Sequence, residues 1–170
     1  ATIMSNHVHE IMKVYSVEDF SNLMRRHHSR FGLIYNKQNM RCGKVAQERP
    51  HTTCFENEAY SMEAVFYVYA NSIETGMVKD DRSYTWPTHM YYAYGTKPKW
   101  LKGLKFKFPK WYMDLGDTSE KRQRAYRVLF NKYLKRVLTE KIYLRLSKLY
   151  FHGSKTWNLI NEETLKSYFK

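Results

Sequence analysis

The chain has 170 residues, 43% of them apolar, enough for one domain with at most a small appendage and enough to bury a sizeable core. Lys and Arg number 29 against 16 Asp and Glu, a formal charge of +13, and such an excess favours a polyanionic partner, either nucleic acid or an anionic membrane. No apolar run has the length of a membrane span, and neither a basic amphipathic anchor nor a lipidation signal is visible, which leaves nucleic acid as the favoured polyanion. Aromatic residues make up 16% of the chain, with 15 Tyr. Rings interleaved with cations suit single-stranded nucleic acid, where bases stack and phosphates are neutralised, although most of these rings are expected to be core or boundary residues. Cys42 and Cys54 lack metal-type spacing and read as reduced thiols of a cytoplasmic protein.

Residues 1–14 read as a strand. Asn6-His7-Val8-His9 lies in it between Thr2-Ile3-Met4 and Ile11-Met12. Alternate side chains of a strand share a face, so His7 and His9 stand side by side, about 7 Å apart at the backbone. Two neutral imidazoles held in this way can share a divalent metal; the other reading of a lone H-x-H is two half-buried histidines, each bonded to a neighbour. Ser16 is a plausible N-cap for a helix opening at Val17, with Phe20, Leu23 and Met24 as its apolar stripe and Phe31 and Ile34 further along. Its other face carries Arg25, Arg26, His27, His28 and Arg30. These are a solvated face or a DNA-facing one.

Residues 36–50 read as a polar, basic loop containing Arg41, Gly43, Lys44 and Arg49, and Thr52 to Phe55 as a short strand. Acidic Glu56 and Glu58 precede a helix over 59–71. Its apolar stripe is Ala59, Met62, Val65, Phe66 and Tyr69, while Tyr60, Ala64, Tyr67 and Asn71 fall on a neighbouring face. Gly76 marks its stop. Residues 96–116 are Lys-rich with Pro98 and Pro109, and read as a linker or extended arm in which Trp100, Phe106, Phe108 and Trp111 alternate with lysines such as Lys97, Lys99 and Lys102. Caps at Asp117 to Glu120 open a helix to about Lys135, with Ala125, Leu129 and Tyr133 on its apolar side. A further helical pattern runs over 139–150 with Ile142, Leu146 and Leu149, and a last short helix starts at Asn161.

Three blocks carry a resemblance. Met4-Ser5-Asn6-His7-Val8-His9 is similar to the M-P-N-H-V-H signature of HUH single-strand endonucleases, more narrowly the IS200-like transposases and the tyrosine transposases associated with repetitive extragenic palindromes. The stretch from Tyr67 to Val78 resembles that family's R-Y-I-x-L-N-P-V-R-A-G-L-V, and the stretch from Ser83 to Gly95 its D-Y-P-W-S-S-Y-x-A-Y-x-G. Arg41-Cys42-Gly43-Lys44 and Arg49 look like its R-x-G…R loop. The resemblance covers residues 2–95 and, more faintly, 109–160. Ser5 and Ser72 stand where the family has proline, and Glu48 where it has glycine. The family also has a strand, a helix and a strand start before its His strand, so the corresponding N-terminal strand and helix are expected to be missing here.

The resemblance implies a Tyr67 nucleophile that attacks a phosphodiester of single-stranded DNA, forming a 5′-phosphotyrosine link and freeing a 3′-hydroxyl. It also implies a divalent metal, Mg²⁺ or Mn²⁺, on His7, His9 and Asn71, the last matching the place of the family's third ligand. Hairpin-forming single-stranded DNA is the implied substrate, with Arg25, Arg26, Arg30, Arg41, Lys44, Arg49, Lys97, Lys99 and Lys102 as candidate contacts. A bacterial, nucleoid-associated protein acting as a monomer or homodimer is implied with it. The fold expected is α+β: an antiparallel sheet bearing the His pair (the ferredoxin-like core of HUH endonucleases) with helices packed on it. The organisation expected is a catalytic domain over 1–96, a basic linker over 97–116 and a helical region over 117–170, which recognises duplex DNA or covers the sheet. Two other functions compete. One is a non-catalytic DNA-binding protein of the same fold. The other is a metallohydrolase that activates water on the histidines, for which no general-base carboxylate is placed near the H-x-H.

Overall fold

A cap, acidic residues in the first turn and a basic one in the last are what a 22-residue helix with little burial needs, and the segment after residue 12 has them. In the computed structural model, which describes residues 1–4, 6–46, 50–80, 82–84, 87–103, 106–140 and 149–167, the chain forms two compact units. One is Met12–His51; the other joins Ala1–Ile11 to Thr52–Lys170. The smaller unit is built on α1 (Val17–Gln38), where the Ser16 hydroxyl accepts the Asp19 N–H at 3.0 Å and Asn39 closes the far end. No residue of α1 is buried. The loop after it is tied back through Asn36, whose amide donates to the Gly43 carbonyl at 2.8 Å, and through Arg41, whose guanidinium lies over the Tyr35 ring.

The larger unit is organised around α2 (Glu58–Glu74). Asn57 caps it, its side chain accepting the N–H groups of Ala59 and Tyr60. Ala64, Val65, Phe66, Val68, Tyr69, Ala70 and Ser72 are all buried, so apolar surface surrounds the helix rather than forming the single stripe the periodicity suggested. Tyr67 alone between residues 64 and 70 is not buried. Gly76 takes the left-handed conformation (φ +72°) just past the helix end, where a side chain is strained.

Around α2 pack α3 (His89–Tyr94), α4 (Lys110–Met113) and α5 (Ser119–Glu140). α5 offers Tyr126, Phe130, Tyr133 and Val137, one per turn along a single face, and all four are buried. The Phe66 ring meets Tyr126, Phe130 and Tyr133 at centroid distances of 5.6, 5.8 and 5.7 Å. Each such ring removed from water contributes about 1.5–3 kcal/mol, with edge-to-face contacts adding to it. Residues 97–116, expected as a basic linker, contain a 3-10 turn (Lys99–Leu101) and α4, and they bring Leu101, Trp111 and Tyr112 into the core. Lys102, Lys107 and Lys110 stay exposed between them, so a Lys-rich composition does not report the buried residues.

The strands are short. β1 (Thr2–Ile3) pairs antiparallel with β2 (Val8–His9), and β3 (Cys54–Phe55) pairs parallel with β4 (Phe151–His152). The expected continuous strand over 1–14 is therefore a hairpin, because the Met4 N–H donates to the His7 carbonyl and turns the chain. The molecule is mixed α+β but mostly helical among the described residues, with the antiparallel sheet reduced to this pair. β1 is fixed from outside by Thr88, whose N–H donates to the Ala1 carbonyl at 3.1 Å, and by the Tyr84 hydroxyl, which donates to the Ile3 carbonyl. β4 is held by Glu63 of α2, which faces His152 at 3.3 Å and Arg136 of α5 at 2.9 Å. Ser154 then caps α6 (Lys155–Ser167), a longer helix than the one expected from Asn161. Most of the helical pattern over 139–150, with Ile142 and Leu146, lies outside the described residues, as does Lys105.

Candidate functional site

The hairpin and α2 bring four side chains together. His7 sits just before β2, His9 ends it, and Tyr67 and Asn71 lie one helical turn apart on α2. His7 Nε2 is 3.0 Å from His9 Nε2, and Asn71 Nδ2 is 2.9 Å from the same His9 nitrogen. The two imidazoles meet edge to face, and the His9 ring also meets the Tyr67 ring edge-on at a centroid distance of 5.9 Å. The Tyr67 hydroxyl has no hydrogen-bond partner among the described residues.

The protonation pattern of the histidines follows from their partners. His7 Nδ1 lies 2.6 Å from Asn6 Oδ1, an acceptor, so the proton of a neutral His7 belongs on Nδ1. Its Nε2 lone pair then points at His9. His9 Nε2 accepts from the Asn71 amide, so it too presents a lone pair. Burial, and secondly the neighbouring His7, bring the His9 pKa down to about 4, so this ring is neutral at physiological pH. The single lone pair of His9 Nε2 is taken by the Asn71 N–H, so in this tautomer the His7 nitrogen approaches it at 3.0 Å with no proton between the two rings.

These donors fit a divalent metal. Ligands on adjacent corners of an octahedron with bonds of about 2.1 Å lie about 3.0 Å apart, the spacing found between the two imidazole nitrogens. Rotation of the Asn71 amide exchanges nitrogen for oxygen and offers a hard ligand in the same place. No group of three or more His, Cys, Asp or Glu with metal-binding geometry occurs among the described residues, so the donor set here is two imidazoles and an amide. That mixture suits Mn²⁺, which accepts imidazole, and Mg²⁺ less well.

Tyr67 is half-buried, and burial, then the carboxylate of Glu74, push its phenol above the ordinary tyrosine value. Glu74 is itself raised by burial. It lies two turns beyond Tyr67 and is a residue that sequence reasoning missed; its spacing of seven from Tyr67 was the available signal. The other tyrosines of α2 are occupied elsewhere. Tyr69 is buried with its hydroxyl on Thr88 and its ring on His89, and Tyr60 packs edge-on against His152. His89, at 2% exposure, is a core residue that faces the Tyr126 hydroxyl through Nδ1 at 3.0 Å.

The candidate DNA contacts fall in both units. Arg25, Arg26 and Arg30 are exposed on α1, and Arg41 and Lys44 are exposed in the loop after it. Lys97, Lys99 and Lys102 are exposed in the larger unit, and Arg49 lies outside the described residues. No helix among the described residues is long and apolar enough to cross a membrane. Comparison with protein-family models, with curated proteins and with solved structures finds no match to this chain.

Proposed function

We propose that this protein is a metal-dependent, tyrosine-mediated endonuclease and strand transferase of single-stranded, hairpin-forming DNA, with a site of the HUH transposase type. The observation that supports this most is the meeting of His7 Nε2, His9 Nε2 and the Asn71 amide, with Tyr67 one turn before Asn71 on the same helix. A divalent cation held by His7, His9 and Asn71 would supply Lewis-acid charge to a non-bridging phosphate oxygen. The half-buried Tyr67 hydroxyl, with no hydrogen-bond partner among the described residues, is left to a substrate. In the proposed step the Tyr67 oxygen bonds to phosphorus, the bond from phosphorus to the 3′-oxygen breaks, and the phenol proton leaves to solvent while the departing oxygen takes one up. The DNA is left with a free 3′-hydroxyl and a 5′-phosphotyrosine. Attack of another 3′-hydroxyl on that link reverses the step, so joining needs no nucleotide cofactor.

The raised pKa of Tyr67 fits this scheme. The phenol stays protonated and unreactive in the free protein, and positive charge next to it opposes the Glu74 carboxylate. The exposed cations Arg25, Arg26, Arg30, Arg41, Lys44, Lys97, Lys99 and Lys102 would neutralise phosphates along the DNA. A DNA substrate and a reduced pair of thiols (Cys42 and Cys54 are both free) fit action in the bacterial cytoplasm, at the nucleoid. The test is a denaturing gel of the protein with fluorescent hairpin oligonucleotides, in Mn²⁺ or EDTA. A metal-dependent band at protein-plus-DNA mass, lost in Tyr67→Phe, is expected. Cleavage that survives Tyr67→Phe would point instead to activated water, and binding without any adduct to a non-catalytic DNA-binding protein.

A further inference from the structure

α5 has two chemically opposite faces. Its inner face is the aromatic row that packs on α2. Its outer face carries Arg124, Val128, Asn131, Lys132, Lys135 and Leu138, all exposed. Lys121 lies on this same side but is paired with Asp117 at 2.9 Å, and three α5 cations elsewhere on the helix are tied down: Arg122 by the Gly116 carbonyl, Arg127 by the Ala93 carbonyl and the Tyr94 ring, and Arg136 by Glu63. Arg124, Lys132 and Lys135 have no ion pair among the described residues and share one side of the helix, spread over about 16 Å of its length. The only carboxylates in α5 are Glu120 and Glu140, at its two ends.

From this face we infer that α5 is a docking rail for the phosphate backbone of a nucleic-acid duplex, in this protein the stem of a hairpin DNA. The inference rests on the DNA-binding part of the reading above, not on the chemistry of Tyr67. Three features select the partner. Cations unmatched by carboxylates call for a polyanion. The aromatic residues of α5 are Tyr126, Phe130 and Tyr133, all buried, so the outer face has no ring on which unpaired bases could stack; that argues against a single strand. An anionic membrane would need a continuous apolar face to enter, but that face of α5 is used by the core, and Val128 and Leu138 are separated by Asn131, Lys132 and Lys135. Cations spread along one side of a helix suit contacts to successive phosphates, which set register and carry no sequence information.

The test uses the full chain with Arg124→Gln, Lys132→Gln and Lys135→Gln combined. These positions are exposed, so circular dichroism and melting should be unchanged. The charge control is Lys79→Gln, Lys155→Gln and Lys166→Gln, three exposed cations elsewhere, which lower the net charge equally. Affinity for a fluorescent hairpin and for a stemless single strand of equal length is followed from 50 to 300 mM KCl by anisotropy. Each lost duplex phosphate contact lowers the slope of log K against log salt by about 0.9. The α5 variant is expected to lose about two to three in slope, and about a hundredfold in hairpin affinity near 100 mM salt. Its stemless binding should equal that of the control. Equal losses in the two variants, or equal losses on hairpin and stemless DNA, would overturn the assignment. So would retained hairpin binding with lost adsorption to vesicles of phosphatidylserine and phosphatidylcholine. The outcome is independent of adduct formation: a failure at α5 leaves the Tyr67 adduct on hairpin DNA at saturating protein intact, while a failure at Tyr67 leaves the salt slopes intact.

Discussion

Replacing Asn71 by Asp tests the donor set with one atom changed. In the native site Asn71 donates an N–H to His9 Nε2 at 2.9 Å, and His9 has a pKa of about 4. A carboxylate in that place cannot donate; it puts a negative charge beside the same nitrogen. At this separation, in a half-exposed site with an effective dielectric constant of about 40 to 80, two unit charges attract by about 1.4 to 2.9 kcal/mol. This favours protonated His9 and should raise its titration midpoint by about one to two pH units, readable from the imidazole proton shifts by NMR. In the same variant the oxygen donor is kept and a charge is added, so Mn²⁺ should bind at least tenfold more tightly at neutral pH. Asn71→Ala removes the donor and should bind at least tenfold more weakly. Calorimetric titration with Mn²⁺ reads both. If Asn71→Ala and Asn71→Asp bind Mn²⁺ equally to the native chain, Asn71 is not a metal ligand. If the His9 midpoint does not move in Asn71→Asp, the 2.9 Å contact does not exist in solution.

His7→Ala and His9→Ala should each weaken Mn²⁺ binding by more than tenfold, while Tyr67→Phe leaves it unchanged; equal calorimetric isotherms for either histidine variant and the native chain would remove that ligand from the set. Phe130 is 1% exposed and touches Phe66, His89 and Tyr126, so Phe130→Ala should cost about 3–5 kcal/mol in urea denaturation. A loss below about 1 kcal/mol would mean that α5 does not pack on α2 as described. Tyr69, Tyr92 and Tyr133 are buried and all have phenol pKa values raised, chiefly by burial. Because the unfolded phenols ionise near pH 10, their stabilisation is complete below that pH and is lost as pH rises above it, at about 4 kcal/mol per pH unit for three groups. Denaturation midpoints that stay flat between pH 10 and 11.5 would contradict this burial.

What could be read in the sequence was whatever depends on short periods. The shared side of His7 and His9 follows from a period of two, and the Tyr67/Asn71 pair from one helical turn. The Ser16 cap follows from a hydroxyl before an acidic first turn. The contact between Asn71 and His9 spans 62 residues, and no local pattern encodes it. The hairpin at Met4–His7 was hidden because its apolar flanks look like one strand, and only a backbone hydrogen bond divides them. Trp111 and Tyr112 were hidden by the lysines around them: composition averages over a segment, whereas burial is decided residue by residue. The α2 stripe was too narrow for the same kind of reason, since a helix enclosed on several sides buries positions that an amphipathic pattern assigns to solvent. The spacing of seven puts Glu74 on the Tyr67 side of α2, but the strength of its effect on the phenol depends on burial, which spacing does not report.

The most direct test of the central claim is mass spectrometry of the α2 peptide after incubation with hairpin DNA and Mn²⁺, followed by nuclease trimming of the DNA. The account predicts a nucleotide phosphate mass on Tyr67 and on no other tyrosine of that peptide, absent in EDTA. DNA cleavage with an unmodified Tyr67, or a nucleotide on Tyr60 or Tyr69 instead, would contradict it.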